Sequence, residues 1–336
     1  MRNVLKGFKN MAVLVTGGAG YIGSVVVERL IGMGQKVVVL DNLSTGYRQA
    51  IHPKAEFVHG DIRDTACLDH VFGQLGIDGV IHMAAKALIP ESITDPAPFY
   101  DINLLGSIRL ADAMVAHGVK RIIMSSTAAV YGQPESVPID ENAPTHPMNS
   151  YGETKLSFER MLYWYSRAYG VEATIFRYFS AAGASASYGE AHVPETHLIP
   201  RLLLAALTET PTAEIYGTDY DTPDGACLRD FVHVVDLADA HIRALEVPNS
   251  SGFRVYNMGS GVGYSVLSVV NNVEKITGRK FEQRFLPRRK GDPARLVASS
   301  AKAVRELGWN PAYPTLDGIL MTAWNWHRTH PDGFKA

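Results

Sequence analysis

Cysteine is scarce in this chain: Cys67 and Cys227 are the two present among 336 residues. That excludes a disulfide framework. Two thiols so far apart also supply no CxxC pair, so no metal site is expected, and small buried thiols in a reducing cytoplasm are. No apolar run reaches the roughly 18 residues of a membrane-spanning helix, so no membrane partner is expected. A block of one charge is missing too. The 34 acidic residues nearly balance the 32 basic ones, for a net charge of -2, and nucleic acid is not an expected partner. Internal repeats and low-complexity tracts are absent. Residues 1–10 carry Arg2, Lys6 and Lys9 without an apolar core, which excludes a signal peptide and reads as a disordered lead.

Hydrophobic residues make up 46% of the chain and charged ones 20%, the balance of an ordinary globular protein. A chain of this length buries about three-quarters of the surface it exposes when unfolded. The stretch at 12–30, AVLVTGGAGYIGSVVVERL, organises the rest. Its apolar start is long enough for one buried strand, breaks at Gly17 and Gly18, and is followed by an apolar segment of helical length. Gly18-x-Gly20-x-x-Gly23 therefore lies between a strand and a helix, the context a dinucleotide fingerprint requires. The first glycines allow the tight turn, Gly20 lets a pyrophosphate reach the backbone, and Gly23 lets helix and strand pack closely. The helix N-terminus offers its free N–H groups to phosphate. Residues 36–40 (KVVVL) read as a second strand ending in Asp41, 18 residues after Gly23. A carboxylate there holds the adenosine ribose hydroxyls and repels the extra phosphate of NADP, which selects NAD.

Strand and helix signals then alternate. The polar loop at 42–49, opening with Asn42, covers the adenosine; a third strand at 56–59 runs into Gly60, Asp61 and Ile62, a turn suited to the adenine edge. A fourth strand at 79–83 ends in Met83 and the small Ala84 and Ala85, which leave room for a cofactor against the backbone. Helical spacing marks a helix at 101–117, and a fifth strand at 121–124 leads into Ser125, Ser126 and Thr127. Ser150 is placed to cap a helix that carries Tyr151 and Lys155 to Gly170, and a sixth strand at 171–178 ends in Tyr178. This alternation predicts an α/β fold, a Rossmann-type doubly wound parallel sheet with a smaller C-terminal α+β substrate lobe. The expected division is 11–182 with 228–262 for the NAD-binding domain and 183–227 with 263–336 for the smaller lobe. The substrate cleft lies between the two.

Tyr151 and Lys155 are four residues apart, on one helix face and about 6 Å apart along its axis. A phenol with a pKa near 10 needs to drop by about three units, worth about 4 kcal/mol, to act as a base near neutrality. A neighbouring ammonium and a positive nicotinamide ring are sources of that field. Thr127, at a strand end, can share a hydrogen bond with a substrate hydroxyl. Tyr151, Lys155 and Thr127 are the candidate catalytic residues.

The segments TGGAGYIG, SSTAAVYG, YGETK, GTDYDTPDGACLRDFVHVVDLADAH, YNMGSGVGYSV and PRRKGD together resemble the UDP-glucose 4-epimerases of the extended short-chain dehydrogenase/reductase family. The likeness covers essentially everything after Met11. It implies an isomerase that holds NAD tightly and does not consume it. Tyr151 becomes the acid/base, with Lys155 tuning it and holding the nicotinamide ribose. Tyr21, Ile22, Asn103, Ser125 and Tyr178 join the cofactor positions. Arg229 and Arg289 clamp the diphosphate, a task that suits guanidinium forks, and Asp292 takes the uridine ribose. Ser180, His197, Leu198, Tyr216 and Leu296 complete the UDP-sugar side.

The implied reaction is a redox loop with no net redox. The 4-hydroxyl proton passes to Tyr151 as hydride passes from C4 to NAD. The flat 4-keto sugar turns with its UDP anchored, and hydride returns to the other face. Three positions depart from the pattern. Ser180 stands where many relatives carry Asn, and His197 where some place Asn near the sugar. Lys86 lies one position before an expected cofactor-facing lysine, with Ala87 at the aligned place. Ala128 and Ala129 lack the acidic residues of related dehydratases and decarboxylases. Keeping both Tyr151 and Lys155 argues against a catalytically silent sensor. In relatives the residue at Leu296 lies against sugar C2. Leucine there implies mainly UDP-glucose and UDP-galactose, ahead of UDP-N-acetylhexosamines or UDP-pentoses, and a one-residue slip would put Arg295 there instead. The resemblance also implies a homodimer through helices 101–117 and 151–169. The second is crowded with Phe158, Met161, Leu162, Tyr163, Trp164 and Tyr165, more than one core-facing side can use.

Overall fold

The computed structural model describes residues 11–289 and 292–334. The lead at 1–10, and Lys290 and Gly291 of the PRRKGD block, lie outside the described residues. Strand β1 (Ala12–Thr16) is buried along its whole length and runs into the glycine turn and α1 (Tyr21–Gly32). The same unit recurs through β2 (Lys36–Asp41), β3 (Glu56–His59), α2 (Thr65–Gln74) and β4 (Gly79–His82). Two short helices, α3 (Ile89–Thr94) and α4 (Ala97–Phe99), precede α5 (Ser107–Ala116), β5 (Arg121–Thr127), α6 (Ser150–Tyr169) and β6 (Glu172–Tyr178). Next come β7 (Ser180–Ala182), α7 (Leu198–Ala206), β8 (Thr212–Tyr216), β9 (Leu228–His233), α8 (Val234–Glu246) and β10 (Phe253–Met258). The chain closes with β11 (Gly263–Ser265), α9 (Val266–Thr277), β12 (Glu282–Leu286), β13 (Arg295–Leu296), α10 (Ala301–Leu307) and α11 (Leu316–Thr329).

Seven parallel strands form the main sheet in the order β10-β6-β5-β4-β1-β2-β3, the doubly wound fold that the alternation predicts. Strand residues alternate between its faces. Val13, Val15, Val37 and Val39 pack with Val26 and Leu30 of α1 and Leu237 of α8 on one side. Leu14, Val38 and Leu40 pack with Leu110, Phe158 and Leu162 on the other. Burial on both faces is why these strands read as unbroken apolar runs. The strand order reverses between β1 and β4, so a crevice opens at the carboxyl ends there. The smaller part pairs β9 with β7, β11 and β13, and β8 with β12. Its core comes from α7, α9 and α11, with Leu202, Leu203, Val269, Val273 and Leu320. Residues 228–233 thus pair in the small sheet, whereas 253–258 pair in the large one.

Two local expectations change. Asn149, not Ser150, caps α6: its side chain accepts from the Gly152 amide at 2.9 Å, while the Ser150 hydroxyl donates to the Ser92 carbonyl. Asn and Ser cap equally well, so adjacent candidates are not separable by type. The helix expected at 101–117 is α-helical only in its second part, because Tyr100–Gly106 is a π-helix leading into α5. Within that wider turn Asn103 is buried, accepting from the Lys86 amide (2.8 Å) and donating to the Lys86 carbonyl (2.9 Å). π turns of this kind are rare and are found frequently at functional sites.

Candidate active site

One cavity of about 1250 Å³ runs from the glycine turn to the smaller sheet. At its nucleotide end two glycines leave no room for a side chain. Gly17 adopts φ 73, and a Cβ there would lie 2.6 Å from the Ala84 nitrogen; a Cβ on Gly23 would lie 2.2 Å from the Gly17 carbonyl oxygen. Gly20 caps α1 without any side-chain hydrogen bond, and Gly20, Tyr21, Ile22 and Gly23 line the cavity. Uncapped amides at a helix N-terminus suit a diphosphate. Asp41 is buried at the end of β2, accepting from the Ala19 amide (3.0 Å) and the Leu43 amide (2.8 Å), which fixes its carboxylate in the wall. Asn42 donates to Asp61 at 2.8 Å, and the Arg63 guanidinium beside Asp61 holds that carboxyl well below the usual carboxylate range. Ile62, Met83, Ala84, Ala85 and Ser125 line the same end. Asn103, expected at the cofactor, does not line the cavity; it stands one layer behind, holding the Lys86 backbone. Tyr178 lines the wall, but its hydroxyl is hydrogen-bonded to His241 at 2.7 Å.

At the centre, β5 ends in Thr127 and α6 opens with Tyr151 and Lys155, all three on the cavity. Burial pushes the Tyr151 phenol up, and a hydrogen bond from Thr127 works the other way. The Lys155 ammonium is buried and donates to the Ser125 carbonyl at 2.9 Å. Burial brings its pKa down to about 8, against the charge of Glu159, which raises it. The net direction for Tyr151 is upward: burial outweighs the Thr127 hydrogen bond, and the lowering expected from Lys155 is not among its causes. Beneath the pair lies a buried polar chain that the sequence reading missed. Glu159 pairs with Arg177 at 2.7 Å, Arg177 donates to the Tyr131 hydroxyl at 2.9 Å, and Tyr131 donates to Asn257 at 2.7 Å. The Ser126 hydroxyl donates to Glu159, so this chain ties β5, α6, β6 and β10 together.

The far end is made of long side chains from separate segments. Ser180, Leu198, Tyr216, Arg229, Arg289, Asp292 and Leu296 all line it. Arg229 lies 3.4 Å from Asp292 and donates to the Leu228 and Pro293 carbonyls, both at 2.9 Å. The Arg289 guanidinium stands 3.8 Å over the Tyr216 ring, a cation–π contact that pre-orients it. Leu296 lines the cavity, whereas Arg295 does not and donates to the Asp221 carbonyl at 2.9 Å. Lys86 pairs with Glu91 at 2.6 Å, beside Ala87 in the wall. His197 hydrogen-bonds Glu195 at 2.8 Å and lies 3.2 Å from Glu190. Burial lowers the His197 pKa, but Glu190 and then Glu195 outweigh it and raise it to about 10. Glu190, His192, Glu195 and Glu214 also line the cavity and were not singled out from sequence, although the spacing E-x-H-x-x-E-x-H was a visible signal.

A doubly wound sheet, an open glycine turn and a Tyr–Lys pair at the centre of one cavity define an enzyme of the Rossmann class. The sequence profile of the NAD dependent epimerase/dehydratase family matches residues 13–259, and the chain belongs to that family. It is similar to a UDP-glucose 4-epimerase of Lacticaseibacillus casei, 49% identical over 96% of this chain and 99% of the relative. Among solved structures it is similar to a UDP-glucose 4-epimerase from Brucella ovis in complex with NAD. That match has 43% identity and a TM-score of 0.89, over 94% of this chain and 98% of the other. A UDP-glucose 4-epimerase from Bifidobacterium longum, in complex with NAD+ and UDP, matches at 38% identity and TM-score 0.91, over 96% of this chain and 100% of the other. No helix among the described residues is long and apolar enough to cross a membrane.

Proposed function

We propose that this chain catalyses the NAD-dependent 4-epimerisation of a UDP-sugar, chiefly the UDP-glucose/UDP-galactose pair, through a transient 4-keto sugar. The observation that carries this reading is continuity: one cavity joins the glycine turn, the Tyr151–Lys155–Thr127 centre and the Arg229–Arg289–Asp292 end. NAD suits the first of these, where a glycine cradle, uncapped helix amides and a fixed Asp41 carboxylate match a diphosphate and an unphosphorylated ribose. When bound, NAD supplies the hydride acceptor and donor, and its nicotinamide ring brings a positive charge beside the phenol. Tyr151 takes the proton from the sugar 4-hydroxyl and later returns it, with Thr127 sharing the hydrogen bond. Lys155 keeps the local charge positive. Arg229, Arg289 and Asp292 hold the UDP while the sugar turns, and Leu296 limits the space at C2. Because hydride returns to the molecule that gave it, NAD stays bound through the cycle.

Incubation with UDP-galactose, UDP-N-acetylgalactosamine and UDP-pentoses, without added NAD, tests this. UDP-glucose should form fastest. Conversion of none of them rejects the epimerase reading and leaves a nucleotide-sugar sensor. Conversion of only the acetylated or pentose sugars moves the substrate and keeps the chemistry. We further propose a homodimer through α6 and the 100–116 region. Tyr163, Trp164 and Tyr169 are 43%, 67% and 54% exposed, with Tyr100 and Leu105 at 42% and 41%, whereas Phe158 and Leu162 of the same helix are buried. An exposed aromatic set of that size calls for a partner surface. Two free cysteines fit the cytoplasm as its place of action.

A further inference from the structure

The loop that precedes α7 gathers Glu190, His192, Glu195 and His197, one ligand atom from each lying within 4.8 Å of all the others. We propose that this loop is a binding site for a transition-metal dication of the zinc type, a feature the epimerisation chemistry does not call for. Two imidazole nitrogens and two carboxylate oxygens form a donor set that suits zinc and its neighbours, not magnesium or calcium, which prefer oxygen alone. Contacts between the groups are already close. His192 Nδ1 is 2.6 Å from Glu190 Oε1, and His197 Nδ1 is 2.8 Å from Glu195 Oε1 and 3.2 Å from Glu190 Oε1. Tetrahedral ligation at about 2.0–2.2 Å separates ligand atoms by roughly 3.3–3.6 Å, so sub-ångström to ångström shifts of side chains suffice.

A second observation points the same way. The other oxygen of Glu195, Oε2, is buried without a hydrogen-bond partner, on a side chain only 9% exposed, and the Glu190 side chain is 6% exposed. Protons on the two imidazoles satisfy the contacts given above and leave Oε2 with nothing. A dication drawn onto the same carboxylate neutralises it and removes the cost of a bare buried oxygen. With all four ligands from the protein the site is closed, so its role is structural and not that of a Lewis acid. It would pin the wall segment 190–197 and the start of α7 beside Leu198, at the far end of the cavity.

The test uses the full-length, untagged protein, stripped with a chelator and then titrated with Zn2+ by calorimetry. Metal content is read after gel filtration, and Co2+ serves as a spectroscopic probe. One Zn2+ per chain should be retained, and bound Co2+ should show the intense visible bands of a tetrahedral site. His192→Ala and Glu195→Gln should each weaken Zn2+ binding by about a hundredfold, at least what loss of an outer-shell partner costs. Substoichiometric Zn2+, weak octahedral Co2+ bands, or affinity unchanged in both variants would each overturn the proposal. The wild-type measurements stand even if one variant folds poorly. None of these readouts depends on turnover, so failure here leaves the epimerase reading untouched, and the reverse.

Discussion

At the nucleotide end of the cavity the wall is backbone, where Gly17, Gly20, Ala84 and Ala85 bring main chain to the surface at strand ends. At the far end the wall is long side chains, Arg229, Arg289, Tyr216, Asp292 and Leu296, delivered by segments spread over some eighty positions. Backbone walls yield little, and a methyl added at Gly17 or Gly23 collides with main chain. Side-chain walls can repack, so changes there alter which ligand fits before they alter whether the protein folds. A family that keeps one cofactor and handles related sugars has use for that asymmetry.

The harshest test of the rigid end is Gly23→Ala. The new methyl would meet the Gly17 carbonyl oxygen at 2.2 Å, and neither backbone segment is free to give. A cost of about 3 kcal/mol, the top of the overpacking range, is expected, with loss of copurified NAD. Thermal melting and nucleotide release by heat would measure both; a variant that keeps its NAD and its Tm would refute the rigid-wall account. At the centre, Tyr151→Phe removes the acid/base and keeps the ring. Turnover should fall at least about a hundredfold with UDP binding nearly unchanged. Near-normal turnover would move proton transfer to Thr127.

The soft end predicts a different kind of result. Leu296→Ala should leave UDP-galactose turnover little changed and raise kcat/KM for UDP-N-acetylgalactosamine. The gain should be about tenfold to a hundredfold, the equivalent of roughly 1–3 kcal/mol of relieved crowding. If the ratio of the two substrates stays fixed, Leu296 does not gate C2.

A smaller effect lies in the pH profile. Lys155 has its pKa brought down from 10.5 to about 8. Between these values the unfolded chain holds a proton that the folded one has released. The penalty from this group is therefore complete below about pH 8 and is relieved as pH rises toward 10.5. For turnover, loss of the ammonium should set an alkaline limb in kcat/KM near pH 8. Glu159→Gln removes the carboxylate that raises Lys155 and should move that limb to lower pH. A limb at the same pH in the variant would detach Lys155 from it. The smallest expected change in catalysis comes from Trp164→Glu, which should give monomers by light scattering with turnover per chain nearly intact. A wild-type chain that is already monomeric would reject the dimer, and a dimeric wild type whose variant keeps its mass would place the interface elsewhere.

The same asymmetry governs what could be read from sequence. The strand, turn, helix and Asp41 of the nucleotide end all fall within residues 12–41, so local periodicity and glycine spacing were enough to place them. Tyr151 and Lys155 were legible because four residues make one helical turn. The far end assembles only in three dimensions, and its members were found through resemblance, not spacing. Asn103 came from the resemblance alone, and in the structure a π turn carries it to the Lys86 backbone, one layer behind the cavity wall. The Glu159–Arg177 pair escaped because nothing in a sequence announces that two charges on α6 and β6 will be buried against each other. The cap of α6 shifted by one residue because Asn149 and Ser150 are chemically equivalent choices.

The exposure of Trp164 has an optical consequence. Of the four tryptophans, Trp309 and Trp326 are 2% and 6% exposed and Trp324 is half-buried, while Trp164 is 67% exposed. Indole emission shifts to shorter wavelength when water leaves the ring, so a solvent-facing indole dominates any red-edge signal of the isolated chain. If α6 forms the proposed dimer interface, dilution through the association range should change the colour of the protein's own fluorescence, without a label. A helix that carries Tyr151 at one end and this indole near the other would then let a single emission trace follow association while turnover is assayed in the same cuvette.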